Sequence, residues 1–134
     1  MRHGLPLGEV TIGQEFQALG YNTGWVGKWH LGMWAEEALP WRRGFNRTYG
    51  FVSAGGETYT TKIAGEGGAD EFFDLRDQGS IVTNATEIAT YNTELFAAKA
   101  AQFIEDSVTQ GNDPFFLYYA MQNVHAPVEY PDKY

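Results

Sequence analysis

Two places in the chain set ionisable side chains among apolar neighbours. One is Lys28-Trp29-His30, bracketed by Gly27 and Gly32. The other is His125, in Asn123-Val124-His125-Ala126-Pro127. An ammonium supplies fixed positive charge, and an imidazole supplies a donor or a proton that titrates near neutrality. A lysine and a histidine facing one way therefore suit an anion. Lys28 and His30 are two residues apart, so extended backbone would project both to the same side. A lone histidine at a strand end more often makes a structural hydrogen bond. The hexapeptide Gly27-Lys28-Trp29-His30-Leu31-Gly32 is harder to explain that way, because it shows no amphipathic period.

The elements that must position these residues read as strands and helices of an α/β fold. Residues 21 to 29 are rich in β-branched and aromatic types and predict a strand. Gly24 and Gly27 interrupt it, and glycine weakens a strand unless a ligand or another backbone must come close. Phe115 to Ala120 predicts a strand apolar on both faces, the type that lies inside a sheet covered by helices. Ligands of open α/β sheets bind beyond the carboxyl ends of the strands. Lys28, His30 and His125 fall there. A helix is expected over 11–19, opened by a Thr11–Gln14 capping box, with Ile12, Phe16 and Leu19 inward and Gly20 closing it. A second is expected over 93–109, capped by Asn92, with Phe96, Ala100, Phe103, Ile104 and Val108 in one stripe. Gly111 and Pro114 end it. Residues 32–50 read as irregular, 53–70 as a long glycine-rich loop, 72–75 as a short strand and 78–83 as a turn into another strand.

Composition removes several classes of function. With 134 residues there is room for one domain. The 9 Lys and Arg against 17 Asp and Glu give a net charge of −8, the wrong sign for a nucleic-acid binder. No cysteine is present, so disulfides, thiolate metal sites and a cysteine nucleophile are excluded within these residues. No apolar run approaches the roughly 18 residues of a membrane-spanning helix. The 4 Trp, 8 Tyr and 9 Phe fit a core of large side chains better than a sugar-stacking surface. Asn46-Arg47-Thr48 and Asn84-Ala85-Thr86 match the glycosylation triplet, which points to a secretory route, lysosomal or extracellular and periplasmic.

Gly20-Tyr21-Asn22-Thr23 followed by Gly27-Lys28-Trp29-His30-Leu31-Gly32 resembles the second signature of the sulfatases, within the alkaline-phosphatase-like superfamily. Leu39-Pro40-Trp41-Arg42-Arg43-Gly44-Phe45, Tyr49-Gly50, and Pro114-Phe115-Phe116-Leu117-Tyr118 with His125-Ala126-Pro127 extend the resemblance over residues 2–134. The Arg42-Arg43 pair and the Gly32-Met33 junction bring it nearest the arylsulfatase B, or N-acetylgalactosamine-4-sulfatase, type. The resemblance implies part of an alkaline-phosphatase-like sandwich, with a mixed central sheet flanked by helices. It implies hydrolysis of sulfate esters, on a sulfated small molecule or a glycosaminoglycan, using formylglycine and calcium. By position, Lys28 matches the family lysine that contacts sulfate and the aldehyde hydrate. His30 matches the histidine beside the formylglycine, a base in release of the covalent sulfate. His125 matches the second histidine, which binds sulfate and assists the leaving alcohol.

No Cys or Ser here is followed by x-Pro-Ser-Arg, and the family's aspartate and Asp-Asn metal ligands are absent. Residues 1–134 therefore read as an internal piece of a sulfatase catalytic domain, inactive alone, with no metal ligand of its own. Arg42 and Arg43 read as structural. Competing readings are a phosphoesterase or phosphonate hydrolase of the same superfamily, and an inactive carbohydrate-binding homologue. The sulfatase reading expects Lys28, His30 and His125 to converge.

Overall fold

Thr11 starts the first helix as its capping pattern requires. Its Oγ1 accepts the N–H of Gln14 at 3.2 Å, while Gln14 Oε1 accepts the N–H of Thr11 at 3.0 Å. Two orphan donors of the first turn are thereby satisfied. The helix, α1, runs Ile12–Ala18, and Gly20 follows in the left-handed region at φ +83°. Its buried face differs from the expected stripe. Ile12 and Leu19 are exposed, and Gly13 is the buried residue. A Cβ on Gly13 would stand 2.7 Å from the Phe45 ring, so the missing side chain lets the helix dock.

A computed structural model describes residues 4–53, 63–64, 72–111, 113–125 and 130–133. Its sheet is mixed. β1 (Asn22–Lys28) lies between two parallel neighbours, β2 (Arg47–Phe51) and β7 (Phe115–Ala120). Two short strands, β3 (Ile63–Ala64) and β4 (Phe72–Phe73), pair with each other. β5 (Leu75–Asp77) runs antiparallel to β2 and turns into β6 (Ser80–Ile81), giving the order β6-β5-β2-β1-β7. Two helices follow β6: α2 (Ala85–Ala89), capped by Asn84, and α3 (Asn92–Gln110).

One sheet face packs Val26, Tyr49, Phe51 and Leu75 against Leu95, Phe96 and Ala100 of α3. On the other, Trp25, Trp29 and Phe45 cluster with Phe116, whose ring stacks on Phe16 of α1 at 4.1 Å. The sheet is thus helix-covered on both faces, and aromatic side chains form much of its core.

Several local expectations change. The stretch read as irregular contains β2, too short and glycine-interrupted to show a strand period. Asn92 is the first helical residue of α3 and only 1% exposed; Tyr91 occupies the cap position. Ile104 and Val108 face outward, because the buried face runs through Leu95, Phe96, Ala100, Phe103 and Ser107. β7 ends the sheet among the described residues, with Phe115 37% and Tyr118 43% exposed, and does not lie in its interior. The long loop expected at 53–70 falls almost wholly outside the described residues.

Candidate active site

Three parallel strands leave the sheet together at one edge. Gly27 of β1 stands opposite both Gly50 of β2 and Ala120 of β7. Gly27 has φ +117° and Gly50 φ +149°. A Cβ on Gly27 would lie 2.0 Å from the carbonyl oxygen of Ala120, and one on Gly50 1.9 Å from that of Gly27. The obstacle is backbone in both cases, so only glycine fits.

Lys28 ends β1, paired with Phe51. Trp29 is fixed on every side. Its N–H donates to the Phe51 carbonyl at 2.8 Å, and its indole N–H donates to Ala38 at 3.0 Å. Its ring meets Trp25 and Phe45 edge-on at 5.8 Å each. The next residue, His30, is exposed and adopts φ +53°. A side chain in that region costs roughly 1–2 kcal/mol, so the surrounding packing must impose it. This corrects the expected geometry: β1 stops at Lys28 and His30 has a positive φ outside extended backbone, so the strand's two-residue period does not relate the two side chains. Beyond it, the Leu31 carbonyl accepts the N–H of Leu5 at 2.8 Å, seating the chain's first described residues against this segment.

His125 is exposed and comes five residues after Ala120, in the segment that leaves β7 at this same edge. Asn123 ties that segment to the start of α3: Thr93 donates to Asn123 Oδ1 at 2.5 Å, and Asn123 Nδ2 donates to the Tyr91 hydroxyl at 2.6 Å. Topology therefore brings the exits bearing Lys28, His30 and His125 to one edge of adjacent strands, although 95 residues separate the two histidines.

The arginine pair divides. Arg42 is exposed and bridges Glu36 at 2.6 Å. Arg43 is buried and donates to the carbonyls of Leu7 and Glu9 at 3.0 and 2.5 Å, which satisfies a cation that could not otherwise be desolvated. Sequence reading also passed over Asp74, a fully buried carboxylate bonded to Ser53 just past β2. A contact across 21 residues, with one partner in a glycine-rich stretch, leaves no periodic signal.

Away from this edge, Tyr49 donates to Glu87 at 2.6 Å and Lys99 bridges the same carboxylate at 2.9 Å. Burial first, then the bond to Glu87 and its charge, push the Tyr49 phenol well above its usual range. Burial works to raise the Glu87 carboxyl, but hydrogen bonds from Tyr49 and Lys99 and the ammonium charge outweigh it and hold it low. A cavity of about 180 Å³ lies beneath α3 by Arg47, Tyr49 and Lys99. Another of about 380 Å³ lies by Asn22 and Asn46. The second is lined by residues at the amino ends of β1 and β2, away from the exits that bear Lys28 and His125.

Among the described residues no three His, Asp or Glu side chains form a metal site. Ser53 donates to Asp74, Ser107 accepts from Asn22 Nδ2 at 2.9 Å, and Ser80 lies in the β5–β6 hairpin. The described residues do not assemble the calcium site that the resemblance implies, and none of the three serines is followed by the x-Pro-Ser-Arg of a formylglycine precursor.

The family model described as Sulfatase matches residues 1–134. Arylsulfatase J of Mus musculus is 31% identical over 130 residues, 97% of this chain and 21% of that protein. Arylsulfatase A of Bos taurus is 34% identical over 138 residues, 94% of this chain and 27% of that protein. The chain therefore spans about a fifth to a quarter of these relatives. Among solved structures, Ps i-CgsB superposes with a TM-score of 0.81 at 27% identity, over 99% of this chain and 30% of that one. Ps i-CgsB has also been solved in complex with k-i-k-neocarrahexaose.

Proposed function

The chain belongs to the sulfatase family, and from that membership we propose that it forms part of the catalytic domain of a longer sulfuric ester hydrolase. The observation that carries this reading is the shared edge: β1 and β7 are hydrogen-bonded neighbours, and the segments bearing Lys28, His30 and His125 leave both strands at their carboxyl ends. In the proposed site the Lys28 ammonium and His125 hold sulfate oxygens. Fixed positive charge there stabilises the charge that builds on oxygen as sulfur is transferred. His125 gives a proton to the departing alcohol oxygen, and His30 exchanges a proton with the oxygen that attacks or is released. The nucleophile and the ligands of the calcium ion would come from chain beyond these residues.

The substrate is proposed to be a sulfated small molecule or sugar polymer, glycosaminoglycans included. The k-i-k-neocarrahexaose in complex with Ps i-CgsB supports a saccharide substrate. No described helix is long and apolar enough to cross a membrane. A lysosomal or extracellular and periplasmic location is proposed from the two glycosylation triplets, both of whose asparagines are exposed.

Turnover of 4-nitrophenyl sulfate beside 4-nitrophenyl phosphate and an aryl phosphonate tests this reading on the full-length protein. Sulfate ester turnover should dominate and should fall in Lys28→Met. Preference for the phosphorus esters would overturn it.

A further inference from the structure

Asp74, between β4 and β5, has no exposed surface. One oxygen, Oδ2, accepts two hydrogen bonds from a single residue: the Ser53 N–H at 2.9 Å and the Ser53 hydroxyl at 2.5 Å. The other, Oδ1, makes no hydrogen bond among the described residues, and Arg76 Nε stands 3.9 Å away. A buried charge is costly unless bonded, and two donors converging on one carboxylate oxygen fix the backbone that bears them. That backbone leads back to the candidate site. Two residues before Ser53 is Phe51, whose carbonyl accepts the N–H of Trp29, the residue between Lys28 and His30.

We infer that Asp74 is a positioning residue for the sulfate-ester site, acting through Ser53 and the exit of β2 to hold the peptide from which Lys28 and His30 project. It rests on the function proposed above, and it touches no reacting atom. β2 ends at Phe51, so beyond the ladder Ser53 and Asp74 anchor the strand exit. Released, the Phe51 carbonyl loses its fixed place, and with it the acceptor that sets Trp29. Displacements of about 1 Å in a catalytic group cost roughly 10²-fold in rate.

The test uses the full-length protein, with amide exchange at Trp29 and steady-state turnover of 4-nitrophenyl sulfate as separate readouts. Both Ser53 donors meet one oxygen, so the carbonyl of Asp74→Asn can still accept both. That variant should keep Trp29 protected, with kcat within about threefold of the parent. Asp74→Ala should speed Trp29 exchange at least about tenfold and lower kcat roughly 10–100-fold, with KM little changed and Val26 still protected. Ser53→Ala, which removes the hydroxyl bond to Asp74 and keeps the backbone one, should show the same pattern at smaller amplitude and serves if Asp74→Ala does not fold. Unchanged Trp29 exchange in Asp74→Ala and Ser53→Ala, equal loss in Asp74→Asn, or exchange rising over the whole sheet would overturn the inference. A parent without sulfate ester turnover, in which Trp29 still responds, would remove the functional reading and support the clamp.

Discussion

Lys28 and His30 occupy backbone of very different cost. Lys28 sits at the end of an ordinary ladder. His30 holds a left-handed conformation that asparagine or glycine would adopt more cheaply. Removing the imidazole in two ways separates strain from chemistry. His30→Gly is expected to be more stable than His30→Ala by about 1 kcal/mol, because only alanine must place a Cβ in that region. Denaturant melts of the two variants measure the difference; alanine as the more stable would contradict the strained backbone. Lys28 makes its proposed contribution through charge. Lys28→Met, which keeps the stem, is expected to lower kcat/KM for an aryl sulfate roughly 10²–10³-fold at an unchanged melting temperature.

The strand exits depend on glycine where backbone meets backbone. Gly27→Ala and Gly50→Ala each press a methyl to about 2 Å from a neighbouring carbonyl oxygen. Both are expected to cost at least about 3 kcal/mol or to prevent folding, since the strands would have to part. Gly20→Ala is the control: its φ is also positive, but nothing lies within 4 Å, so a loss nearer 1 kcal/mol is expected. Thermal melts rank the three. Tyr49, Glu87 and Lys99 couple β2, α2 and α3 in a pH-dependent way. The raised phenol contributes stability that is complete below about pH 10 and declines above it, as tyrosine ionises more readily in the unfolded chain. The depressed Glu87 carboxyl contributes at neutral pH and is lost as pH falls through its folded value. Urea midpoints against pH should therefore fall at both ends, with Tyr49→Phe flattening the alkaline limb and Glu87→Gln the acid one.

Across the whole molecule, the sheet is closed by helices on its faces and open at β7. Phe115 and Tyr118 are exposed there, and the outer row of β7 backbone groups has no strand partner among the described residues. Such an edge templates pairing with another chain. The 134-residue chain expressed alone is expected to associate with rising concentration, as light scattering would show. Tyr118→Lys should suppress that association; a monomer at every concentration would contradict the expectation.

The capping of the first helix, the strands that lead to the candidate residues and the long helix could be read directly from the sequence, though not the cap of that long helix. Each rests on neighbours a few residues apart: Thr11 with Gln14, Gly20 past its helix, the apolar run of Phe115–Ala120. The Lys-Trp-His motif was legible as well, because it departs from any packing period. Tertiary structure alone decided the rest. Gly27 needs its glycine because Ala120 lies beside it, and Gly50 because Gly27 does, and none of these is near another in sequence. The positive φ of His30 comes directly after Trp29, which is held by bonds to Phe51 of β2 and to Ala38. Asp74 and Ser53 meet only because β5 runs back along β2. Local interactions are written in the order of residues, whereas these depend on which strands become neighbours.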